Sequence, residues 1–72
     1  MESLKELIGQ RLKESRQAKK MTQKQVAALL HMTQQQYSRF ENGIFELDYQ
    51  QLTFLCKLYD VSSDYILGLN DY

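Results

Sequence analysis

One helix-start pattern occurs three times in this sequence, and it constrains the fold more strongly than any other feature. Each copy has a Thr or Asp that can cap a helix, a Gln three positions later, and apolar residues one position before the cap and four positions after it. The copies are Met21-Thr22-x-x-Gln25-Val26, Met32-Thr33-x-x-Gln36-Tyr37 and Leu47-Asp48-x-x-Gln51-Leu52. A capping box with a hydrophobic staple pairs backbone N–H groups that a helix start leaves free. The sequence therefore predicts three helices that begin just after residues 22, 33 and 48.

Two further helices are predicted near the ends of the chain. Ser3 and Glu6 form another capping box, and Val61 precedes a capping Ser62, with Gly68 as a stop signal. The apolar residues of the first helix recur at helical spacing, namely Leu4, Leu7, Ile8 and Leu12. Proline is absent and strand-like alternation is scarce. We therefore predict an all-α fold with five helices, near residues 4–18, 23–30, 34–41, 49–59 and 63–67.

Length and composition exclude several classes of protein. Seventy-two residues leave room for one domain, spanning residues 1–72. Cys56 has no second cysteine to bond and no Cys or His at metal-binding spacing, so we expect a reducing cytoplasm and neither a cofactor nor a structural metal. No stretch approaches the roughly 18 apolar residues of a membrane span, and the acidic N-terminus argues against a signal peptide. We expect an intracellular protein that does not associate with membranes.

The charges are distributed unevenly, although the formal net charge is zero. Up to residue 40 there are eight bases and three acids, a net charge of +5, whereas from residue 41 onward one base faces six acids, a net charge of −5. This asymmetry indicates a positive surface that can meet a polyanion. The alternative is a solvated surface with uneven charge and no such partner.

The link between the second and third predicted helices is short. Only three residues, His31-Met32-Thr33, separate them, which allows a sharp crossing of the helices but not a relaxed antiparallel hairpin. One residue of this turn has to adopt the left-handed backbone conformation, and we predict that it is His31. We interpret His31 as a turn residue and not as a catalyst or ligand.

Residues 23–42 resemble a known motif. They read QKQVAALLHMTQQQYSRFEN, with a Gln at the start, the small Ala27 where the two helices cross, and Glu-Asn at the end before Gly43. This pattern is similar to the helix-turn-helix of the phage repressor and Cro family, also called the XRE family. Matching segments in the first, fourth and fifth helices are residues 8–16, 55–62 and 64–68. The resemblance implies a five-helix lambda-repressor-like DNA-binding domain, with the helix-turn-helix at helices 2 and 3.

The third predicted helix presents a polar strip. If Tyr37 and Phe40 face inward, the outward residues are Gln34, Gln35, Ser38 and Arg39. Glutamine can bond adenine N6 and N7, and arginine can bond guanine O6 and N7, in the major groove. We therefore predict that these four residues contact DNA bases. Taken without the motif, the run of glutamines is better explained as a solvated helix face.

Further residues are expected to contact phosphate. Gln23 lies at the start of the second helix, where free backbone amides and the helix dipole favour an anion. The complete set of predicted phosphate contacts is Gln23, Arg11, Arg16, Lys24, Thr33 and Asn42. The family resemblance also implies a structural ion pair between Arg16 and Glu41, and Gly43 supplies a left-handed turn after that helix.

The loop after Gly43 departs from the family pattern. The family often has a basic residue there and later a proline, but this chain has Ile44-Phe45-Glu46-Leu47. The change removes a phosphate anchor and exposes apolar surface. A dimer interface is therefore predicted at Ile44, Phe45, Leu69 and Tyr72. Packing of Phe45 within its own chain is an equal alternative.

The function that follows is sequence-specific binding of double-stranded DNA by a transcriptional regulator, acting as a repressor. We expect a bacterial or phage-encoded homodimer in the cytoplasm that places two copies of the third helix in successive major grooves, with no small-molecule effector. An enzyme is disfavoured, because the chain has one His, no Cys/His pair and no glycine-rich phosphate loop. The alternative is an antitoxin-like or adaptor module of the same fold that binds another protein.

Overall fold

A computed structural model describes residues 2–70 of the chain. Its five helices are α1 (Leu4–Ala18), α2 (Gln23–Leu29), α3 (Gln34–Glu41), α4 (Tyr49–Tyr59) and α5 (Ser63–Ile66). No strand occurs within residues 2–70. The all-α prediction is confirmed, and every predicted helix end lies within one residue of the observed end.

Capping boxes begin the first four helices, as the sequence predicted. The cap residues with their partners are Ser3 with Glu6, Thr22 with Gln25, Thr33 with Gln36, and Asp48 with Gln51. At α3, the Gln36 N–H donates to Thr33 Oγ1 at 3.1 Å, and the Thr33 N–H donates to Gln36 Oε1 at 2.9 Å. Helix α5 is capped by Ser62, whose hydroxyl accepts the N–H of Tyr65 at 3.0 Å. These local contacts explain why the helices begin where they do.

Between residues 2 and 70, three residues other than glycine have a positive φ angle. His31 has a φ of 58°, which confirms the predicted left-handed turn between α2 and α3. Lys20, between α1 and α2, has a φ of 56°. Asp60 ends α4 with a φ of 56°, a conformation that the sequence analysis did not anticipate. Asp visits this region more readily than most residues because its short side chain bonds locally.

Each helix contributes one residue with no exposed surface to a common core. These residues are Leu12, Val26, Tyr37, Leu55 and Ile66. Ala27 is also buried on α2, where a small side chain allows the close approach of a second helix. The core therefore holds α3 against both α1 and α2 and leaves the opposite face of α3 outside.

Gly9 allows α1 to lie directly against the end of α3. A Cβ atom at this position would overlap the backbone carbonyl oxygens of Phe40 and Glu41. No side chain fits between the two backbones. This close approach fixes the end of α3 relative to α1.

Candidate nucleic-acid interface

The outward face of α3 carries polar side chains, as predicted. Gln34, Gln35 and Arg39 are exposed, and Ser38 is half-buried. Tyr37 and Phe40 point into the core. The side-chain amides of Gln34 and Gln35 have no hydrogen-bond partner within residues 2–70. Their donors and acceptors are available to a ligand.

The other polar side chains of α3 have partners within the helix. The Ser38 hydroxyl donates to the carbonyl oxygen of Gln35 at 3.0 Å, so its remaining capacity is to accept a hydrogen bond. Gln36 uses its carbonyl oxygen in the capping box with Thr33. The exposed surface that can read a ligand is therefore mainly Gln34, Gln35 and Arg39.

A buried ion pair joins α1 to the end of α3. Arg16 Nε lies 2.8 Å from Glu41 Oε2, and Arg16 Nη2 lies 3.2 Å from Glu41 Oε1. This is the pair that the family resemblance implies. Burial raises the pKa of the Glu41 carboxyl, but hydrogen bonds from Arg16, Tyr37 and Gln23 outweigh burial and hold the pKa below its usual range. The hydrogen bond to Glu41 also raises the pKa of Arg16.

This geometry does not fit the predicted phosphate contact by Arg16. Its third guanidinium nitrogen, Nη1, donates to the carbonyl oxygen of Met21 at 2.8 Å. The residue is only 9% exposed. All three nitrogens therefore hold protein partners, and Arg16 is a structural residue.

Arg11, another predicted phosphate contact, also has partners inside the protein. Its Nη1 donates to the carbonyl oxygens of Tyr65 at 2.9 Å and Asn70 at 3.0 Å. Its Cζ atom lies 4.4 Å from the centre of the Tyr65 ring. Arg11 thus connects α1 to α5 and the residues that follow, and its phosphate contact stays a prediction.

Gln23 has a side-chain role that the sequence did not reveal. Its Nε2 donates to Glu41 Oε1 at 3.0 Å, so the amide belongs to the buried ion pair. Helix starts leave backbone N–H groups without helical partners, and at α2 these belong to Gln23 and Lys24. The anion-binding capacity of this helix start therefore lies mainly in its backbone. Lys24, Thr33 and Asn42 are exposed.

A pair of buried tyrosines extends the same polar network. The hydroxyl oxygens of Tyr37 on α3 and Tyr59 on α4 lie 2.6 Å apart. Burial raises the pKa of Tyr59 to about 12, and it raises the pKa of Tyr37 as well. The sequence predicts Tyr37 in the apolar core but does not predict this bond. The available signal was that a buried tyrosine hydroxyl usually finds a hydrogen-bond partner.

The stretch of sequence that forms α2 and α3 contributes no exposed acidic side chain. No Asp or Glu occurs between Glu14 and Glu41, and Glu41 is buried. The exposed bases of this stretch are Lys19, Lys20, Lys24 and Arg39. Exposed positive charge is therefore carried by α2, α3 and the turn before α2, and it favours an anionic ligand.

The apolar residues of the predicted dimer interface are exposed where they are described. Ile44 is 57%, Phe45 44% and Leu69 70% exposed, whereas Tyr72 lies outside the described residues. Phe45 also packs edge-on against the buried Phe40, with ring centres 6.3 Å apart. Part of the Phe45 ring therefore packs within its own chain, and part remains exposed and available to a second copy.

An apolar groove of about 410 Å³ lies next to these residues. Its apolar lining consists of Leu4, Ile8, Phe45, Leu47, Leu52 and Leu67. Leu4 is an exposed member that the sequence assigned to the apolar face of α1 without placing it near the loop. The groove extends the exposed apolar surface around Phe45.

Between residues 2 and 70, no helix is both long and apolar enough to cross a bilayer. The same residues contain no group of three His, Cys, Asp or Glu side chains placed to hold a metal ion.

Comparison with known proteins identifies the family. Residues 12–66 match the helix-turn-helix family. Among the relatives in Bacillus subtilis (strain 168), the uncharacterized HTH-type transcriptional regulator YobD is 40% identical over 62 residues, covering 86% of this chain and 55% of that protein. The HTH-type transcriptional regulator ImmR is 39% identical over 64 residues, covering 89% of this chain and 50% of that protein.

A third relative has a phage origin in its name. The SPbeta prophage-derived uncharacterized HTH-type transcriptional regulator YonR of the same organism is 38% identical over 61 residues, covering 85% of this chain and 56% of that protein. The chain thus spans about half the length of the curated relatives it matches. The family match includes α2, the turn at His31 and α3 together with the surrounding helices. The chain belongs to the helix-turn-helix family of the phage repressor and Cro type, the XRE family.

Proposed function

We propose that this chain binds double-stranded DNA sequence-specifically and regulates transcription, with α3 as the recognition helix in the major groove. The observation that carries the proposal is the exposed strip of Gln34, Gln35 and Arg39. Gln35 and Arg39 are four positions apart and share one face of the helix. Amide and guanidinium groups match the hydrogen-bonding edges of adenine and guanine, with about 1–3 kcal/mol of discrimination for each good pair.

Phosphate contacts come from the residues around this strip. Lys24, Thr33 and Asn42 remain in the proposed set because all three are exposed. The free backbone amides at Gln23 and Lys24 supply a further site for a phosphate oxygen. Lys19 and Lys20 are added, since they are exposed at the end of α1 next to the start of α2. These contacts fix the orientation of α3 without reading sequence.

The proposed active form is a homodimer that acts as a repressor in the cytoplasm. Two copies of α3 then enter successive major grooves, about 34 Å apart along the duplex. The exposed Ile44, Phe45 and Leu69 support pairing of two copies through this surface. Sedimentation equilibrium of an Ile44→Ser/Leu69→Ser variant tests it, with Tyr49→Ser as a control because Tyr49 is exposed elsewhere, on α4. Dimers in both variants would contradict this interface.

The DNA-binding proposal is tested with duplexes selected from a random pool. Fluorescence anisotropy compares the parent with Gln34→Ala, Gln35→Ala and Arg39→Ala on selected and scrambled duplexes. Each variant should lose about tenfold in affinity for the selected duplex and little for the scrambled one. Gln50→Ala, an exposed glutamine on α4, is the matched control and should bind like the parent.

The same experiment separates DNA binding from a role in binding another protein. Phosphate contacts impose a linear fall of log affinity with log salt concentration. An antitoxin-like or adaptor module without DNA contacts would enrich no duplex from the pool. Parent-like binding by all three α3 variants would overturn the assignment of α3 to the groove.

A further inference from the structure

Arg39, the one base-reading candidate with a positive charge, lies over an aromatic ring. Its Cζ atom is 5.3 Å from the centre of the Phe45 ring, within the range of a cation–π contact. Both residues are partly exposed, and Phe45 stands in the loop where the family often has a basic residue. Within residues 2–70, no carboxylate lies at ion-pair distance from Arg39. The ring is therefore the main partner of this guanidinium.

The Phe45 ring is itself held in place. It packs edge-on against the buried Phe40 at a centre distance of 6.3 Å and an angle of 68°. The backbone N–H groups of Ile44 and Phe45 both donate to the carbonyl oxygen of Arg39, at 2.9 Å and 3.2 Å. The loop thus folds back onto the last turn of α3. This places a fixed aromatic plane beside the arginine.

We propose that Phe45 is a positioning residue that presents the Arg39 guanidinium to a guanine in the major groove. The proposal rests on the proposed DNA-binding function and adds a determinant of base specificity to it. A ring covers the face of a guanidinium and leaves the in-plane N–H donors uncovered. No hydrogen bond within residues 2–70 occupies the Arg39 N–H donors, so in contact with the ring the side chain keeps the donor pair that matches guanine O6 and N7.

Stacking also lowers the entropic cost of recognition. A free arginine side chain samples many rotamers, and binding a base requires it to give up that freedom. The contact with Phe45 restricts the side chain before DNA arrives. Removing the ring should therefore weaken only the interaction that Arg39 makes. A leucine at position 45 keeps apolar volume in the loop, and a tyrosine keeps the aromatic face.

A double-mutant cycle tests the proposal. The variants are Phe45→Leu, Phe45→Tyr, Arg39→Ala and the Phe45→Leu/Arg39→Ala pair, each measured on the selected duplex and on duplexes changed at one base pair at a time. We expect Phe45→Leu to weaken binding about two- to fivefold, as for loss of an exposed cation–π contact. Discrimination should fall at the same base pair that Arg39→Ala identifies. Phe45→Tyr should bind like the parent.

The remaining outcomes are equally specific. In the Arg39→Ala background, Phe45→Leu should have no further effect on binding, because the partner of the ring is gone. Equal losses in both backgrounds, a loss spread over all base pairs, or the same loss in Phe45→Tyr would each overturn the proposal. A general loss with dissociation into monomers would instead assign Phe45 to the dimer interface alone, which also overturns it.

A second measurement does not depend on DNA. NMR of the free protein should show ring-current shifts of the Arg39 side-chain protons that disappear in Phe45→Leu and persist in Phe45→Tyr. Their absence in the parent would contradict the contact between the guanidinium and the ring. Failure of the proposed function itself is distinguishable, because then Gln34→Ala and Arg39→Ala would also bind like the parent. If those two variants lose binding and Phe45→Leu does not, only the role of Phe45 is wrong.

Discussion

The guanidinium of Arg16 on α1 donates two hydrogen bonds, of 2.8 Å and 3.2 Å, to the carboxylate of Glu41 at the end of α3. The Glu41 side chain is 1% exposed and the Arg16 side chain 11% exposed. Both charged groups are therefore largely withdrawn from water and depend on partners within the protein. The pair connects the core of the protein to the helix that carries the polar strip.

Removing the cation of this pair should destabilise the fold strongly. Arg16→Met leaves a buried carboxylate without its main partner, and we expect the free energy of unfolding to fall by about 3 kcal/mol or more. That is a large part of the roughly 5–10 kcal/mol expected for a chain of this length. Urea unfolding measures the change. Lys13→Met, an exposed position on the same helix, serves as the control. A loss equal to that of the control would contradict the buried pair.

Stability should decrease in acid because of Glu41. Its pKa is lowered in the folded state, so the unfolded chain binds more protons once the pH falls below about 4.5, the usual range of a glutamate. The contribution of Glu41 is present above that pH and is lost as the pH falls through the lower folded value. Urea unfolding between pH 3 and 6 measures this. The free energy of unfolding should vary less with pH in Arg16→Met/Glu41→Leu than in the parent, and in Glu46→Gln it should vary with pH as in the parent. Identical slopes in the double variant and the parent would count against this assignment.

The tyrosine pair predicts a loss of stability in alkali. Folding raises the pKa of Tyr59 from 10.0 to about 12, so its contribution is present below pH 10 and is lost as the pH rises through about 12. Tyr59→Phe should cost about 1 kcal/mol at neutral pH through the lost hydrogen bond to Tyr37, and it should flatten the alkaline fall. Unfolding free energies and tyrosinate absorbance measure both effects. Tyr49→Phe, at an exposed site, should show neither.

The turn between α2 and α3 stores backbone strain that glycine would relieve. His31 has a φ of 58°, and His31→Gly should raise the free energy of unfolding by up to about 1 kcal/mol. For a domain of this size, that corresponds to a melting temperature about 4–8 °C higher. His31→Ala keeps the strain and should bring no such gain. A lower melting temperature in the glycine variant would mean that the imidazole makes contacts worth more than the strain.

Lys24 should change the salt dependence of DNA binding and not its sequence preference. If this exposed lysine at the start of α2 neutralises one phosphate, Lys24→Ala should reduce the slope of log affinity against log salt by about 0.9. Binding to selected and scrambled duplexes should weaken alike. Lys57→Ala, an exposed lysine on α4, controls for the loss of one charge. An unchanged slope in Lys24→Ala would remove this residue from the proposed phosphate contacts.

Local sequence patterns predicted the helices because their determinants are local. Thr22 with Gln25, and Thr33 with Gln36, form their hydrogen bonds within three residues, so the spacing alone locates the helix starts. The left-handed turn at His31 follows from the short distance between two such starts. The left-handed conformation of Asp60 was not predicted, because glycine is the usual sequence signal for a left-handed residue at the end of a helix. Asp is a weak signal for it, and nothing else in the sequence marks the end of α4 in this way.

The roles of individual basic and polar side chains depended on distant parts of the chain. Arg11 bonds to a carbonyl 54 residues away, and Gln23 bonds to a carboxylate 18 residues away. Neither partner is visible in the spacing of residues around Arg11 or Gln23. The outward face of α3 was predictable, since Tyr37 and Phe40 fix its inward face by periodicity alone. Which cations face a ligand was not predictable, because tertiary contacts had already engaged two of them.

Gly9 sets a limit on how the protein can vary. A methyl group at that position would act as a wedge between α1 and the final turn of α3, tilting the helix and carrying Arg39 and the loop at Phe45 away with it. Substitutions on the outer surface of α3 can alter what the helix reads while its angle stays the same. At Gly9 even one added carbon atom would change the angle. The orientation of every side chain on α3 therefore depends on the absence of a side chain at position 9.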